Sequence, residues 1–155
     1  MNAEKARFLK SGFTMLLKQI PSDTKAIWGR MTFQQMIEHF SDSVRIASGK
    51  TVHKDIITPE ENLQRVRDFI LSEKPFRENT PNPLLPVVPP PVRNPSVKEA
   101  IFELQDEINY FFSVFEKNSL GVTRNPFFGD FNFEQNIHLL YKHAQHHLRQ
   151  FGKEV

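Results

Sequence analysis

Apolar side chains recur along this chain with the spacing of helices, and no segment alternates residue by residue as a half-buried strand does. From about Ala3 to Gln19 the positions Ala6, Leu9, Phe13, Leu16 and Leu17 share one helical face, and Pro21 marks the end. Gly12 is the weak point within it. The turn Pro21-Ser22-Asp23-Thr24 is expected to lead into a short helix holding Trp28. A second long helix starts near Thr32, a good N-cap, and carries Phe33, Met36, Ile37, Phe40, Val44 and Ala47 as one stripe until Gly49. Thr58-Pro59-Glu60-Glu61 combines a cap, an N1 proline and an acidic first turn. The shorter helix it opens runs to about Leu71 and buries Leu63, Val66, Phe69 and Ile70.

Residues 75–95 break the pattern. Eight of the eleven prolines lie there, Pro89-Pro90-Pro91 among them, which predicts an extended crossover. A linker between two domains is the competing reading, and it fails because neither side is long enough for a comfortable core of its own. Leu84, Leu85, Val87 and Val88 indicate that the crossover packs on the body. Ser96 then caps a helix to about Lys117, with Ala100, Leu104, Ile108, Phe111, Phe112 and Phe115 on its apolar side. Asn125-Pro126-Phe127-Phe128-Gly129-Asp130 reads as a turn, and a last helix runs from about Asn132 or Phe133 to Phe151 before Gly152. Long helices joined by one long crossover predict an all-α four-helix bundle, with residues 1–155 as a single domain.

Composition narrows the chemistry. The chain has no cysteine, which excludes disulfides, thiolate metal sites and cysteine nucleophiles. Any metal would be held by imidazole and carboxylate, a donor set suited to zinc, nickel, iron or manganese. Twenty basic against eighteen acidic residues give a net charge of +2, with no long run of one sign, so no nucleic-acid partner is expected. The N-terminal residues lack a signal-peptide core, and no apolar run approaches the roughly 20 residues that span a bilayer. The expectation is a soluble cytoplasmic domain. A nucleophile elbow and a phosphate loop are both missing, and the spacing of the 15 phenylalanines says core rather than stacking platform.

Three of the six histidines, His143, His146 and His147, lie within five residues on the last helix. Residues four apart on a helix stand one above the other, about 5–6 Å apart at Cβ, so His143 and His147 could share an ion. On a helical wheel His147 lies roughly 60° and His143 roughly 100° from the centre of the apolar stripe, on one flank of the core face. His146 falls roughly 160° away, which predicts a residue facing solvent or a partner, and His138 falls on the other flank. On the second helix His39 lies roughly 110° from its stripe centre and can look sideways at a neighbour. His53 falls in a predicted loop. The candidate set is therefore His39, His143 and His147. Spacing alone leaves the alternative open that His39 is a hydrogen-bonded or surface histidine. Glu38 beside it is read as a solvated helix glutamate, with a base or acceptor role as the sharper alternative.

The segments Trp28-Gly29-Arg30-Met31-Thr32 and Gln35-Met36-Ile37-Glu38-His39 resemble the second-helix signature of the DinB/YfiT-like metalloenzymes. Asn125-Pro126-Phe127-Phe128-Gly129 and Tyr141-Lys142-His143-Ala144-Gln145-His146-His147-Leu148-Arg149-Gln150-Phe151-Gly152 are similar to the subgroup described as domain of unknown function 1569. Relatives often carry His at the place of Asn125 and Trp at that of Asn136, departures that touch the substrate pocket and leave the triad intact. The resemblance covers essentially the whole chain. It implies a four-helix bundle holding a divalent metal on three histidines, which fall on His39, His143 and His147, with His146 and Gln150 in the motif but not ligands. It also implies a small-molecule substrate, and for some relatives a thiol-dependent S-transferase reaction with a low-molecular-weight thiol. A metal-dependent hydrolase is the alternative, and a non-catalytic metal-binding homodimer is the reading from another class.

Overall fold

Short-range signals fix most of the helix ends. The structure, a computed structural model, describes residues 2–78 and 88–154. The first rod consists of α1 (Asn2–Arg7), a π-helical turn (Phe8–Gly12) and α2 (Phe13–Gln19). In the wide turn the Phe13 N–H reaches back to the Phe8 carbonyl. A Cβ on Gly12 would lie 3.1 Å from Phe8 Cδ2, so the glycine that weakens the helix makes room for that ring. The ring goes on to meet Tyr141 edge-on at 5.4 Å.

Helix α3 (Phe33–Ser48) begins with a reciprocal capping box: Gln35 N donates to Thr32 Oγ1 at 3.1 Å and Thr32 N donates to Gln35 Oε1 at 2.9 Å. Gly49 ends it in the left-handed conformation, φ +81°. The remaining helices are α4 (Glu60–Leu71), α5 (Val97–Lys117) with Ser96 as cap, and α6 (Phe133–Gln150) with a second capping box from Asn132 and Gln135. Helix α3 packs along α5, while α6 meets α1, α3 and α4. Phe13, Phe33, Phe40 and Phe111 are fully buried in the main core, each contributing on the order of 2–3 kcal/mol by its burial. A second, smaller cluster of Ile70, Phe131 and Leu139, joined by Phe76, lies on the α4 side of α6.

Three local expectations are corrected. No helix forms around Trp28: the chain there docks on the end of α6 through Ile27 N donating to the Gln150 carbonyl at 2.8 Å, and Gly29 at φ +81° is incompatible with a right-handed helix. Thr58 does not cap α4; its hydroxyl donates to the Phe127 carbonyl at 2.7 Å, and Pro59 takes the N-cap place. The third correction is a small antiparallel hairpin, β1 (Thr123–Asn125) and β2 (Gly129–Phe131), with Thr123 opposite Phe131. The Asn125-to-Asp130 turn is where it was expected, with Asn125 Oδ1 accepting from Phe127 N at 2.8 Å. The hairpin is tied down by Asn136, whose Nδ2 donates to Thr123 Oγ1, the Phe131 carbonyl and the Asn132 carbonyl.

The crossover has no regular structure at residues 74–77 or 89–93. Leu84, Leu85 and Val87 lie outside the described residues, and Val88 is exposed. What holds the far end of the crossover on α3 is polar. Gln35 Nε2 donates to the Pro90 carbonyl, Gln34 Nε2 to the Asn94 carbonyl, and Glu38 accepts from the backbone of Arg93 and Asn94. Among the described residues no helix is long and apolar enough to cross a membrane.

Candidate metal centre

Two helices bring three imidazoles to one point. His39 comes from α3, and His143 and His147 from successive turns of α6; one ligand atom from each lies within 4.8 Å of the others. The ring centroids are 5.2 Å apart for His39 and His143, 5.3 Å for His39 and His147, and 4.5 Å for His143 and His147. The two α6 rings meet at Nε2, 2.7 Å apart. Phe40, next to His39 in sequence, stacks on His143 at 4.8 Å and closes one side of the group.

The residues fit a divalent ion. Two donors on one ion with bonds of about 2.1 Å are at most about 4.2 Å apart, so shifts of roughly half an ångström would bring all three onto it. Electrostatics keeps the donors in the form that binds metal. Burial disfavours the imidazolium and lowers the pKa of His39, with Asp42 opposing it slightly. Burial pushes His143 and His147 well below the ordinary histidine value, and His39 adds to the effect on each. Neutral imidazoles with free lone pairs are what a metal requires.

The surroundings were only partly foreseen. His146 does not face solvent. Its ring packs 5.4 Å from Trp28, 5.8 Å from Phe76 and 5.1 Å from His147, and its Nδ1 is buried with no hydrogen-bond partner among the described residues. Burial first, then Arg149 and His39, push its pKa down to about 4. The wheel misplaced it because α6 is covered on two sides, by the helices and by the Trp28 and Phe76 segments. Glu38 is likewise no solvated glutamate: it is buried, and its two oxygens accept from Arg93 N, Asn94 N, Asn94 Nδ2 and Gln34 Nε2. Burial pushes its pKa up, but these bonds outweigh it and hold the carboxyl below its ordinary value. His138 stays apart from the cluster, 3.2 Å from Lys5 Nζ, and His53, in the loop between α3 and α4, does not join the site either.

Gln150, placed in the motif but given no role by the sequence, makes contact with the site. Its Oε1 is 2.7 Å from His147 Nδ1 and its Nε2 donates to the Trp28 carbonyl at 3.0 Å. The signal was present in its spacing, one turn beyond His147 on the same face.

No family model, curated protein or solved structure matches this chain. Fold and site together define a mostly helical protein with a small hairpin and three histidines that could hold a metal ion.

Proposed function

We propose that the chain is a divalent-metal-dependent enzyme of the DinB/YfiT-like class, a four-helix bundle with His39, His143 and His147 as ligands. Its reaction is transfer chemistry on a low-molecular-weight thiol, in which the sulfur displaces a leaving group from an electrophilic small molecule. The observation that carries this reading is the convergence of three imidazoles from two helices, His147 buried and His39 and His143 half-buried. Three protein ligands leave a coordination position open, which is the mark of a catalytic rather than a structural centre. The chemistry such an ion supplies is Lewis acidity, which lowers the pKa of a bound thiol or water.

The neighbouring side chains favour a thiol over water as the nucleophile. Hydrolysis by a metal-bound water is commonly served by a nearby carboxylate base, as in the helical zinc proteases. The carboxylate beside His39 is Glu38, and both its oxygens are engaged by the crossover. Phe40 and Phe76 pack against His143 and Trp28 against the neighbouring His146, an apolar surround that suits a sulfur nucleophile.

Metal analysis of protein purified without a histidine tag comes first. About one divalent ion per chain is expected, and its loss in His143→Ala; no retained metal in the native sequence would overturn the reading. Free thiol is then followed during incubation with an electrophile. Thiol consumption that depends on the metal supports the transferase, whereas ester or amide turnover with no thiol loss assigns the hydrolase instead.

A further inference from the structure

We infer that Gln150 is a positioning residue for the metal: it fixes His147 with Nδ1 protonated and the Nε2 lone pair directed into the site, and the Trp28-Gly29 backbone holds Gln150 in that orientation. The inference rests on the metal reading above and goes beyond it by assigning a proton position and the element that sets it.

The argument follows from which groups can donate. The Trp28 carbonyl can only accept, so the Gln150 side-chain atom 3.0 Å from it must be the amide nitrogen. The Gln150 oxygen therefore faces His147 Nδ1, 2.7 Å away, and since that oxygen can only accept, Nδ1 must carry the proton. A neutral imidazole has one N–H, which leaves His147 Nε2 as a lone pair. That lone pair is the atom 2.7 Å from His143 Nε2, so in the metal-free protein His143 Nε2–H donates to it. Two histidines one turn apart are thus held in opposite tautomers. Metal binding through both Nε2 atoms shifts the His143 proton from Nε2 to Nδ1 and leaves His147 unchanged.

Gln150 cannot choose otherwise. It is buried, and its own backbone carbonyl accepts from Ile27 N at 2.8 Å, so the loop grips both its main chain and its side chain. Gly29 belongs to the same grip. It stands at φ +81°, and a Cβ there would lie 3.0 Å from Gln150 Nε2. A loop without regular structure thereby sets, through Gln150, the donor atom of a ligand.

Long-range proton–nitrogen correlation spectra of the histidine rings read the tautomers in the native sequence without any substitution. The expected result is a protonated Nδ1 on His147 with and without zinc, and a protonated Nε2 on His143 only without it. A His147 protonated at Nε2 in the metal-free protein overturns the inference. Zinc affinity by competition with a chelating dye gives the second test. Gln150→Met keeps the shape and removes the acceptor, and should weaken zinc about 10–100-fold. Gln150→Glu keeps an acceptor for Nδ1–H but loses the donor to the Trp28 carbonyl, and should weaken zinc less than Gln150→Met does. A role in packing alone predicts the reverse order, with Met tolerated and Glu harmful, and that result would refute the positioning role. If the native sequence binds no zinc while the tautomers are as expected, the metal reading fails and the assignment of Gln150 to His147 stands.

Discussion

Replacing Glu38 tests whether its carboxylate is an anchor for the crossover or a base for chemistry. The side chain is 4% exposed and accepts four hydrogen bonds, from Arg93 N at 2.8 Å, Asn94 N at 3.0 Å, Asn94 Nδ2 at 3.1 Å and Gln34 Nε2 at 3.1 Å. Each bond to a charged acceptor is worth about 1.5–3 kcal/mol net, but they share one carboxylate and the freed donors can partly reach water. Glu38→Ala should therefore cost about 2–4 kcal/mol, which for a chain of this length is roughly 4–16 °C in Tm. Glu38→Gln keeps one accepting oxygen and turns an N–H₂ toward donors, so it should cost about 1–2 kcal/mol. The pH dependence has a defined sign. The folded carboxyl lies below its ordinary value of 4.5, so its contribution is complete above about that pH and is lost as pH falls through the lower folded value. Urea unfolding of the native protein and both variants between pH 7 and about 3 measures all of this, with the acid slope of the Gln variant shallower than the native one. A cost for Ala under about 0.5 kcal/mol, or identical acid slopes, would show that the four bonds do not anchor the crossover.

Asn136→Leu removes the donor that ties Thr123, Phe131 and Asn132 together, and should cost about 1–3 kcal/mol in chemical denaturation, with faster amide exchange in the hairpin. Lys142→Met should be destabilising despite its similar volume. The buried ammonium donates to the carbonyls of Ser72 and Lys74 and lies 4.7 Å over the Phe69 ring, and Met leaves both carbonyls unpaired. Zinc at about 100 times its Kd should raise stability by about 2.7 kcal/mol in thermal melts, an effect reversed by chelator and absent from His39→Ala.

What could be read from the sequence was what neighbours within four residues decide. The Thr32 cap, the Ser96 cap and the glycine that closes α3 are local, and each is present as expected. The same holds for the convergence of His39, His143 and His147, since helical spacing on two apolar-flanked helices limits where those side chains can reach. The misreadings share a different cause. Glu38 is buried by a segment more than fifty residues later, His146 by two loops that no wheel contains, and Thr58 is diverted by the Phe127 carbonyl. Strands of three residues such as Thr123–Asn125 are too short for alternation to register, and the irregular Trp28 segment is shaped by its contacts with α6.

The placement of the three histidines also sets a time order. His39 is about a hundred residues from His143 and His147, and the helices carrying them meet only after the intervening chain has closed a long loop. Contacts of such separation form late on the route to the native state. An ion bound there rewards a nearly completed fold and offers little to a partly folded chain. Its effect should fall on the rate of escape from the native state, slowing unfolding while leaving refolding almost unchanged.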